Sequence, residues 1–216
     1  MKRNEEALRR RIVAVCRRLD GLGFVPATDG NVSARLARGE ILITPTRAAK
    51  GSLVPARLLV IDPAGRVRRG EGRPSSESAM HLAIYRLRPD VGAVVHAHPP
   101  VATGFAAARR GLTAALLPEA VLPLGPVPLA PYATPGTAEV PRSIRRLIAV
   151  HQAILLANHG ALCVGAGLDE ALWRMELVEH LAKVALIAAA AGGARALSPT
   201  AVAKLAIAAS GPPGRR

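Results

Sequence analysis

The chain has 216 residues, half of them hydrophobic, so it is long and apolar enough for one compact domain and is not a disordered chain. Its 29 basic and 15 acidic residues give a net charge of +14, which is compatible with binding nucleic acid. The arginines are scattered in short groups, however, and aromatic residues make up only 2%, so the stacking surfaces that hold single strands are nearly absent. We therefore expect no nucleic-acid partner, and a solvated basic surface that attracts anionic, for example phosphorylated, substrates.

Residues 5–19 are predicted to form an opening amphipathic helix, because apolar side chains recur there at helical spacing with arginines on the other face. The N-terminus lacks the long apolar core and cleavage site of a secretory signal. The most apolar late segment, Val184 to Ala194, is too short to span a bilayer. These features predict a soluble, cytoplasmic protein without a membrane partner. In that setting Cys16 and Cys163 are expected to be buried thiols rather than a disulfide.

Short strands joined by tight turns are predicted in the next part of the chain. They cover residues 32–36, 41–43, 58–61 and 66–68. The last two flank the turn Asp62-Pro63-Ala64-Gly65, which is typical of a hairpin. Connections this short join antiparallel strands, so this half of the sheet is predicted to be mainly antiparallel.

Helices and strands alternate in the rest of the chain. The predicted helices cover residues 77–87, 101–109, 141–150 and 198–209, with a long one from 169, and the predicted strands end at 98 or cover 154–157 and 162–164. The proline-rich path 117–135 is not expected to hold long regular elements. No repeat or linker divides the chain, so we predict one domain over 1–210 and a frayed tail over 211–216.

Two histidines close the strand that follows the 77–87 helix. Side chains on a strand alternate between faces, so His96 and His98 are predicted to project from the same face. Pro99 and Pro100 cannot continue a ladder, which places the pair at the strand's C-terminal end. Two imidazoles in that position suit a divalent metal, but a lone His-x-His is weak evidence. The alternative is two histidines that are satisfied by backbone and solvent.

A third histidine strengthens the metal hypothesis. His159 follows another short apolar run and precedes Gly160, a residue that allows close backbone approach. If the two strand ends meet, three histidines and one open position would make a catalytic rather than a structural zinc site. The other histidines are expected to be surface or packing residues: His81, His151 and His180.

Glu77 is the second candidate for chemistry. A carboxylate in the first turn of a helix is stabilised by the helix dipole, and this alone explains many such residues. Preceded by Ser75 and Ser76, however, the same helix start could cradle a phosphate with two hydroxyls and free backbone N–H groups. The helix leads directly to the histidine strand, so we infer a metal-held phosphorylated sugar with Glu77 as base.

Six motifs along the chain together resemble one known family. They are Asp29-Gly30-Asn31-Val32-Ser33, Ile43-Thr44-Pro45-Thr46, Pro74-Ser75-Ser76-Glu77, His96-Ala97-His98, Ala130-Pro131-Tyr132-Ala133-Thr134 and Asn158-His159-Gly160. Each is weak alone, but six in the family's order are specific. In these motifs the chain resembles the class II aldolase/adducin family, in particular its zinc-dependent sugar-phosphate aldolases of the fuculose-1-phosphate type.

The resemblance implies a fold, an assembly and a reaction. The fold would be α/β, in three α/β/α layers with a mixed, mostly antiparallel central sheet, and the assembly a homotetramer with active sites at subunit interfaces. The reaction would cleave a ketose 1-phosphate to dihydroxyacetone phosphate and an aldehyde through an enediolate. One Zn²⁺ per subunit, or another divalent cation, would sit on the three histidines, with Glu77 as the acid/base. The implied phosphate-binding residues are Gly30, Asn31, Thr46, Ser75 and Ser76.

The sequence departs from the family pattern at three places. Arg47 stands where the aldolases typically have glycine after the Pro-Thr pair, and it could either contact the phosphate or crowd the pocket. The tyrosine that protonates the leaving aldehyde oxygen, which comes from a neighbouring subunit, aligns with Leu117. Glu119 could replace it as acid or act as a further metal ligand, or it could be a structural residue after Pro118. The family's C-terminal tyrosine has no counterpart after Tyr132.

Other activities of the same family remain as alternatives. The sugar-phosphate 4-epimerases tend to carry aspartate at the position of Glu77, which favours the aldolases. A dehydratase acting on a phosphorylated methylthio-sugar would use the same metal and a carboxylate. A non-enzymatic interaction protein of the adducin type is disfavoured because all three histidines are present.

Overall fold

A computed structural model describes residues 2–210, and within that range the chain forms seven α-helices and eight strands. The helices are α1 (Lys2–Gly21), α2 (Ser78–Leu87), α3 (Pro100–Ala107), α4 (Pro118–Val121), α5 (Glu139–Ile148), α6 (Leu168–Ala190) and α7 (Pro199–Ser210). The strands are β1 (Asn31–Arg35), β2 (Ile41–Ile43), β3 (Leu59–Ile61), β4 (Val67–Arg69), β5 (Ala93–Ala97), β6 (Leu129–Ala130), β7 (Ala153–Leu156) and β8 (Gly160–Gly165). Every predicted element is present, and the proline-rich path holds only the four-residue α4 and the two-residue β6.

The eight strands form one sheet in the order β4-β3-β2-β1-β5-β8-β7-β6. All neighbouring pairs are antiparallel except β6 and β7, which are parallel. The predicted hairpin joins β3 to β4, and its turn is held by Asp62, whose carboxylate accepts hydrogen bonds from the backbone N–H groups of Ala64 and Arg66. The prediction of a mixed, mostly antiparallel sheet is confirmed.

Helices cover both faces of this sheet. On one face α1, α3 and α6 share an apolar core with Val32 and Ala34 of β1. On the other face α2 and α5 pack around Ile43 of β2 and its neighbours. Because successive side chains on a strand alternate, Asn31 and Ser33 of β1 lie on the α2 side. The predicted three-layer α/β/α architecture is therefore confirmed.

Both cysteines are buried and free, as predicted. Cys16 lies in α1 and Cys163 in β8, on the same side of the sheet. Burial raises the pKa of the Cys16 thiol to about 12, so it stays protonated at neutral pH. The two thiols act as small apolar side chains of the core.

None of the helices within residues 2–210 combines the length and apolarity needed to cross a membrane. The single domain over 1–210 stays a prediction. The predicted frayed tail, 211–216, lies outside the described residues.

Candidate metal centre

Three imidazole rings meet at one end of the central strands. His96 is the penultimate residue of β5, His98 follows directly after that strand, and His159 lies in the turn between β7 and β8. Their ring centroids are 4.7–5.0 Å apart. One nitrogen from each ring lies within 4.8 Å of those of the other two. The structure therefore brings together the two chain segments that the sequence predicted to meet.

Strand pairing and a tight turn bring the third ring close. β8 pairs with both β5 and β7, which places the turn that carries His159 beside the end of β5. Asn158 in that turn has a φ of 56°, a left-handed conformation that asparagine tolerates. At Gly160 a Cβ atom would lie 2.5 Å from the carbonyl oxygen of Ala97 and 2.6 Å from Cδ2 of His98. Only glycine allows this approach without displacing the His98 ring.

The outer nitrogens of two rings have acceptors. Nδ1 of His96 donates a hydrogen bond of 2.9 Å to the carbonyl oxygen of Ala161, so Nε2 faces the other imidazoles. Nδ1 of His98 lies 3.2 Å from Oδ2 of Asp29, and its Nε2 faces inward. Carbonyl and carboxylate partners of this kind orient metal-binding histidines and fix which nitrogen is presented to the ion.

The carboxylate of Glu77 lies against the same cluster. Glu77 occupies the N-cap position of α2 without capping it, so its side chain is free to face the histidines. Oε2 lies 3.2 Å from Nε2 of His96 and accepts a 2.8 Å hydrogen bond from Nδ2 of Asn31. Oε1 lies 3.5 Å from Nε2 of His159. Among the described residues Oε1 is buried and has no hydrogen-bond donor, which leaves an acceptor aimed into the site.

The protonation states suit a cation. Burial on its own would raise the pKa of Glu77, but His96 and then His159 outweigh it and hold the pKa well below its usual range. Burial and the charge of His96 lower the pKa values of His98 and His159 to about 4. Burial opposes protonation of His96 too, but Glu77 raises its pKa overall. His98 and His159 are therefore neutral beside an ionised carboxylate, which are the forms that ligate a divalent metal, and a bound ion would take the place of the proton that Glu77 favours on His96.

The spacing of the donors also fits a metal ion. The Nε2 atoms of His96 and His98 are 3.2 Å apart. Two nitrogen ligands of a tetrahedral zinc ion, at bond lengths of about 2.0–2.1 Å, are separated by about 3.3 Å. A nitrogen of His159 lies within 4.8 Å of the other two, and these three nitrogens, together with the donor-free oxygen of Glu77, could hold such an ion.

Two of the segments predicted to bind phosphate run side by side. The backbone N–H of Thr46 donates to the carbonyl oxygen of Arg73, and that of Ser75 donates to the carbonyl oxygen of Thr44, both at 3.1 Å. Ser75 is buried, and its hydroxyl accepts a hydrogen bond from the backbone N–H of Glu77. The segment that carries the serines is therefore hydrogen-bonded to the residues that follow β2 and to the start of α2.

The remaining predicted phosphate residues differ in exposure. Ser76 and Arg47 are exposed, and Arg47 has a left-handed φ of 53°. At Gly30, where φ is +71°, a Cβ atom would lie 2.8 Å from the carbonyl oxygen of His96, so glycine is required there for packing as well. Asn31 is buried, with both polar groups of its side chain engaged. Phosphate binding by these residues stays a prediction.

Glu119 lies apart from these contacts. It is exposed on α4, and no hydrogen bond or ion pair within residues 2–210 joins it to the three histidines. Leu117, where the family resemblance would place a tyrosine, is half-buried just before α4. The role of Glu119 as an acid or ligand stays a prediction.

Two residues of this region were not among the predicted site residues. Asp29 holds His98, and His81, expected to be a surface or packing residue, is fully buried and hydrogen-bonded to Asn31. The sequence did contain a signal for His81, because it follows Glu77 by four residues and therefore shares its helix face. Asp29 stands in the first of the six family motifs, but spacing did not connect it to His98, which is 69 positions away in the sequence.

Comparison with known proteins agrees with this geometry. The family profile described as the class II aldolase and adducin N-terminal domain matches residues 10–186. The L-fuculose phosphate aldolase of Escherichia coli K12 is 37% identical over 86% of this chain and 85% of its own. The 3-oxo-tetronate 4-phosphate decarboxylase of the same strain is 36% identical over 85% of this chain and 88% of its own. A solved L-fuculose 1-phosphate aldolase superposes with a TM-score of 0.88 at 30% identity, over 95% of this chain and 97% of that one.

Proposed function

Since this chain belongs to the class II aldolase and adducin family, we propose that it is a zinc-dependent lyase that cleaves a ketose 1-phosphate to dihydroxyacetone phosphate and an aldehyde. The observation that carries the proposal is the convergence of three imidazole nitrogens on a buried carboxylate whose Oε1 has no donor within the described residues. A structural role would not require that acceptor to be left open.

The proposed metal ligands are His96, His98 and His159, one zinc ion per subunit, with another divalent cation able to take its place. Bound there, the ion would polarise the carbonyl of the substrate and stabilise the negative charge of the enediolate. The ring partners support this assignment, because Ala161 and Asp29 take the outer nitrogens of two of the rings.

Glu77 is the proposed acid/base. When the C3–C4 bond of the ketose breaks, the C4 hydroxyl gives up its proton and becomes the aldehyde, and the electron pair of the bond remains on the dihydroxyacetone phosphate half. Glu77, once it has taken up a proton, would deliver it to C3. In the reverse direction the ionised carboxylate would remove that proton. Its lowered pKa supports the role of base, and its burial keeps bulk water from competing for the proton.

The phosphate would be held where the two paired segments meet. Thr46, Ser75, Ser76 and Gly30 remain the proposed contacts, with Arg47 beside them as a further cation. Asn31 also remains a proposed contact, although to bind phosphate through its side chain it would have to release one of the two hydrogen bonds that engage it.

The assembly and location are part of the same proposal. We propose a cytoplasmic homotetramer with its active sites at subunit interfaces. Exposed apolar side chains on α6 support burial against further copies: Trp173 is 65% exposed and Ile187 is 67% exposed.

A second candidate is the decarboxylation of a 3-oxo sugar acid phosphate. One observation favours it. The chain has two tyrosines, Tyr85 buried beneath the site and Tyr132 on the surface, and Leu117 stands where the aldolases would supply a phenol to the aldehyde oxygen. A decarboxylation has no aldehyde oxygen to protonate. The C1–C2 electron pair would form the same enediolate as CO₂ leaves, and a proton on C2 would give dihydroxyacetone phosphate.

One assay separates the two reactions. The zinc-loaded protein would be incubated with a panel of ketose 1-phosphates and with 3-oxo-tetronate 4-phosphate, and the release of dihydroxyacetone phosphate, aldehyde and CO₂ would be measured with and without chelator. We expect chelator-sensitive release of dihydroxyacetone phosphate with an aldehyde. Release with CO₂ would assign the decarboxylase. If protein with full zinc releases neither an aldehyde nor CO₂, both assignments are overturned and an interaction role is favoured.

A further inference from the structure

Behind the carboxylate of Glu77 lies a hydrogen-bond chain of four further polar side chains, all buried and each hydrogen-bonded to the next. Nδ2 of Asn31 contacts Glu77, and Oδ1 of Asn31 contacts Nε2 of His81. Nδ1 of His81 lies 2.6 Å from the hydroxyl of Ser33, which lies 2.8 Å from the hydroxyl of Tyr85. His81 and Ser33 are 0% exposed, so water cannot supply these hydrogen bonds.

The sequence spacing explains why the hydrogen-bond chain forms. Glu77, His81 and Tyr85 recur every four residues and lie along one face of α2. Asn31 and Ser33 are two residues apart on β1 and lie on one face of the sheet. α2 packs on that face, so the two rows interleave and each strand residue contacts two helix residues.

The direction of each hydrogen bond in the chain follows from the ionised carboxylate at one end and the neutral ring of His81. The ionised carboxylate of Glu77 can only accept, so the amide of Asn31 donates to it and the Asn31 oxygen is left as an acceptor. Burial, reinforced by the charge of His96, lowers the pKa of His81 to about 3, so its ring is neutral. Nε2–H of His81 therefore donates to Asn31, and Nδ1 accepts from the hydroxyl of Ser33. The Ser33 oxygen then accepts from the hydroxyl of Tyr85.

We propose that His81 is a positioning residue for the acid/base: it fixes the amide of Asn31 with its nitrogen toward Oε2 of Glu77, which leaves Oε1 as the open acceptor in the metal centre. The proposal rests on the function proposed above for Glu77. His81 touches neither the histidine cluster nor the open side of the site, and it acts only through Asn31.

The alternative orientation of Asn31 shows what His81 prevents. If the amide turned by 180°, its oxygen would face the carboxylate of Glu77 and its NH₂ group would face Nε2–H of His81. Both contacts would be repulsive, so the neutral His81 tautomer excludes the turned state. Ser33 stabilises this tautomer, because its hydroxyl can donate to Nδ1 of His81 while its oxygen accepts from the hydroxyl of Tyr85.

A matched pair of variants tests this role. In His81→Gln the amide nitrogen lies four bonds from Cα, as Nε2 does, and can still donate to Asn31. In His81→Asn it lies three bonds away, as Nδ1 does, and falls short of Asn31. We expect His81→Asn to slow the exchange of solvent deuterium into dihydroxyacetone phosphate by about 10- to 100-fold, the range for loss of an outer partner of a site residue. We expect His81→Gln to retain most of the rate, with zinc content and melting temperature similar in the two variants.

A readout that does not depend on activity keeps this inference separate from the proposed function. Crystal structures of the zinc-loaded variants should show the Asn31–Glu77 hydrogen bond retained in His81→Gln and broken or turned in His81→Asn. If the wild type exchanges no deuterium, the proposed function fails, but these structures still test the role of His81. An intact hydrogen bond in His81→Asn, or equal rate losses in both variants, would overturn the inference.

A second variant covers the case in which the buried substitutions at 81 prevent folding. Ser33→Ala removes the proton that fixes the His81 tautomer and is expected to slow exchange in the same direction. In the His81→Gln background no ring tautomer remains to be fixed, so Ser33→Ala should have no further effect on the rate. A full effect of Ser33→Ala in that background would show that it acts by another route and would overturn the proposal.

Discussion

The two sides of the candidate site are built differently. On the β1–α2 side, Glu77, Asn31 and His81 are buried, and Asn31 is hydrogen-bonded to both of the others. The segment 117–135, which the family resemblance assigns to the leaving group, holds only α4 and β6 as regular elements, and Glu119 is exposed. The residues expected to transfer the proton therefore have fixed hydrogen-bond partners, whereas the segment expected to meet the leaving group contains little regular structure.

This difference has a physical meaning for the family. Formation of an enediolate and its protonation at carbon are common to aldol cleavage and decarboxylation, and both need a carboxylate held at one place. The leaving groups differ, so the side that meets them can vary without changing the common step. Relatives with both activities, at 36% and 37% identity to this chain, are consistent with such a division.

The largest effect should come from removing a proposed metal ligand. We expect His96→Ala to lose bound zinc and with it all measurable turnover, because the variant lacks the ring that contacts both His98 and Glu77. Metal content by mass spectrometry and deuterium exchange into dihydroxyacetone phosphate would check this. His180→Ala, at an exposed position outside the cluster, is the matched control and should keep both. Full zinc content in His96→Ala would contradict the proposed centre.

The next effect should come from the carboxylate. Glu77→Gln preserves the shape of the side chain but removes the base, so we expect zinc to be retained and deuterium exchange to fall by about 10²–10⁴-fold. The measurement is the exchange rate per bound zinc ion. A rate near that of the wild type would assign the base to another residue. The buried hydrogen-bond chain behind Glu77 would then have no acid/base to position.

A smaller effect is expected at Asp29, the carboxylate behind His98. Asp29→Asn removes the charge 3.2 Å from Nδ1, so the ring is held less firmly and is a weaker ligand. We expect zinc affinity to fall by about 10- to 100-fold, measured by competition with a chelator, while turnover at saturating zinc stays close to wild type. A fall in turnover at full zinc occupancy would mean that Asp29 takes part in the reaction itself.

The sequence predicted those parts of the site that depend on local rules. Alternation on a strand placed His96 and His98 together, and the run before His159 predicted a strand end that could meet them. Glu77 was placed at the helix start, within one residue of where α2 begins. These inferences need only the period of a strand or helix and the positions of glycine and proline.

What the sequence left open depends on tertiary register. Asn31 faces His96 only because β1 pairs antiparallel with β5 in one particular register, and a shift by one residue would turn its side chain to the other core. The resemblance implied that Asn31 binds phosphate, whereas the structure shows its side-chain amide hydrogen-bonded to Glu77 and His81. The contact of Asp29 with His98 likewise follows from strand pairing and not from spacing along the chain.

The smallest effect on the common step should come from the segment that the resemblance assigns to the leaving group. Glu119 is exposed and has no contact with the histidines within residues 2–210, so Glu119→Gln should leave deuterium exchange within about twofold of wild type, as is usual for surface substitutions. Release of aldehyde from a ketose 1-phosphate is measured on the same sample. If Glu119 exchanges the proton of the aldehyde oxygen, that release falls while deuterium exchange does not, because in cleavage Glu119 would take the proton of the C4 hydroxyl and exchange does not involve that group. A parallel loss of exchange would contradict the division of the site into two sides, since it would connect Glu119 to the proton that Glu77 is proposed to move.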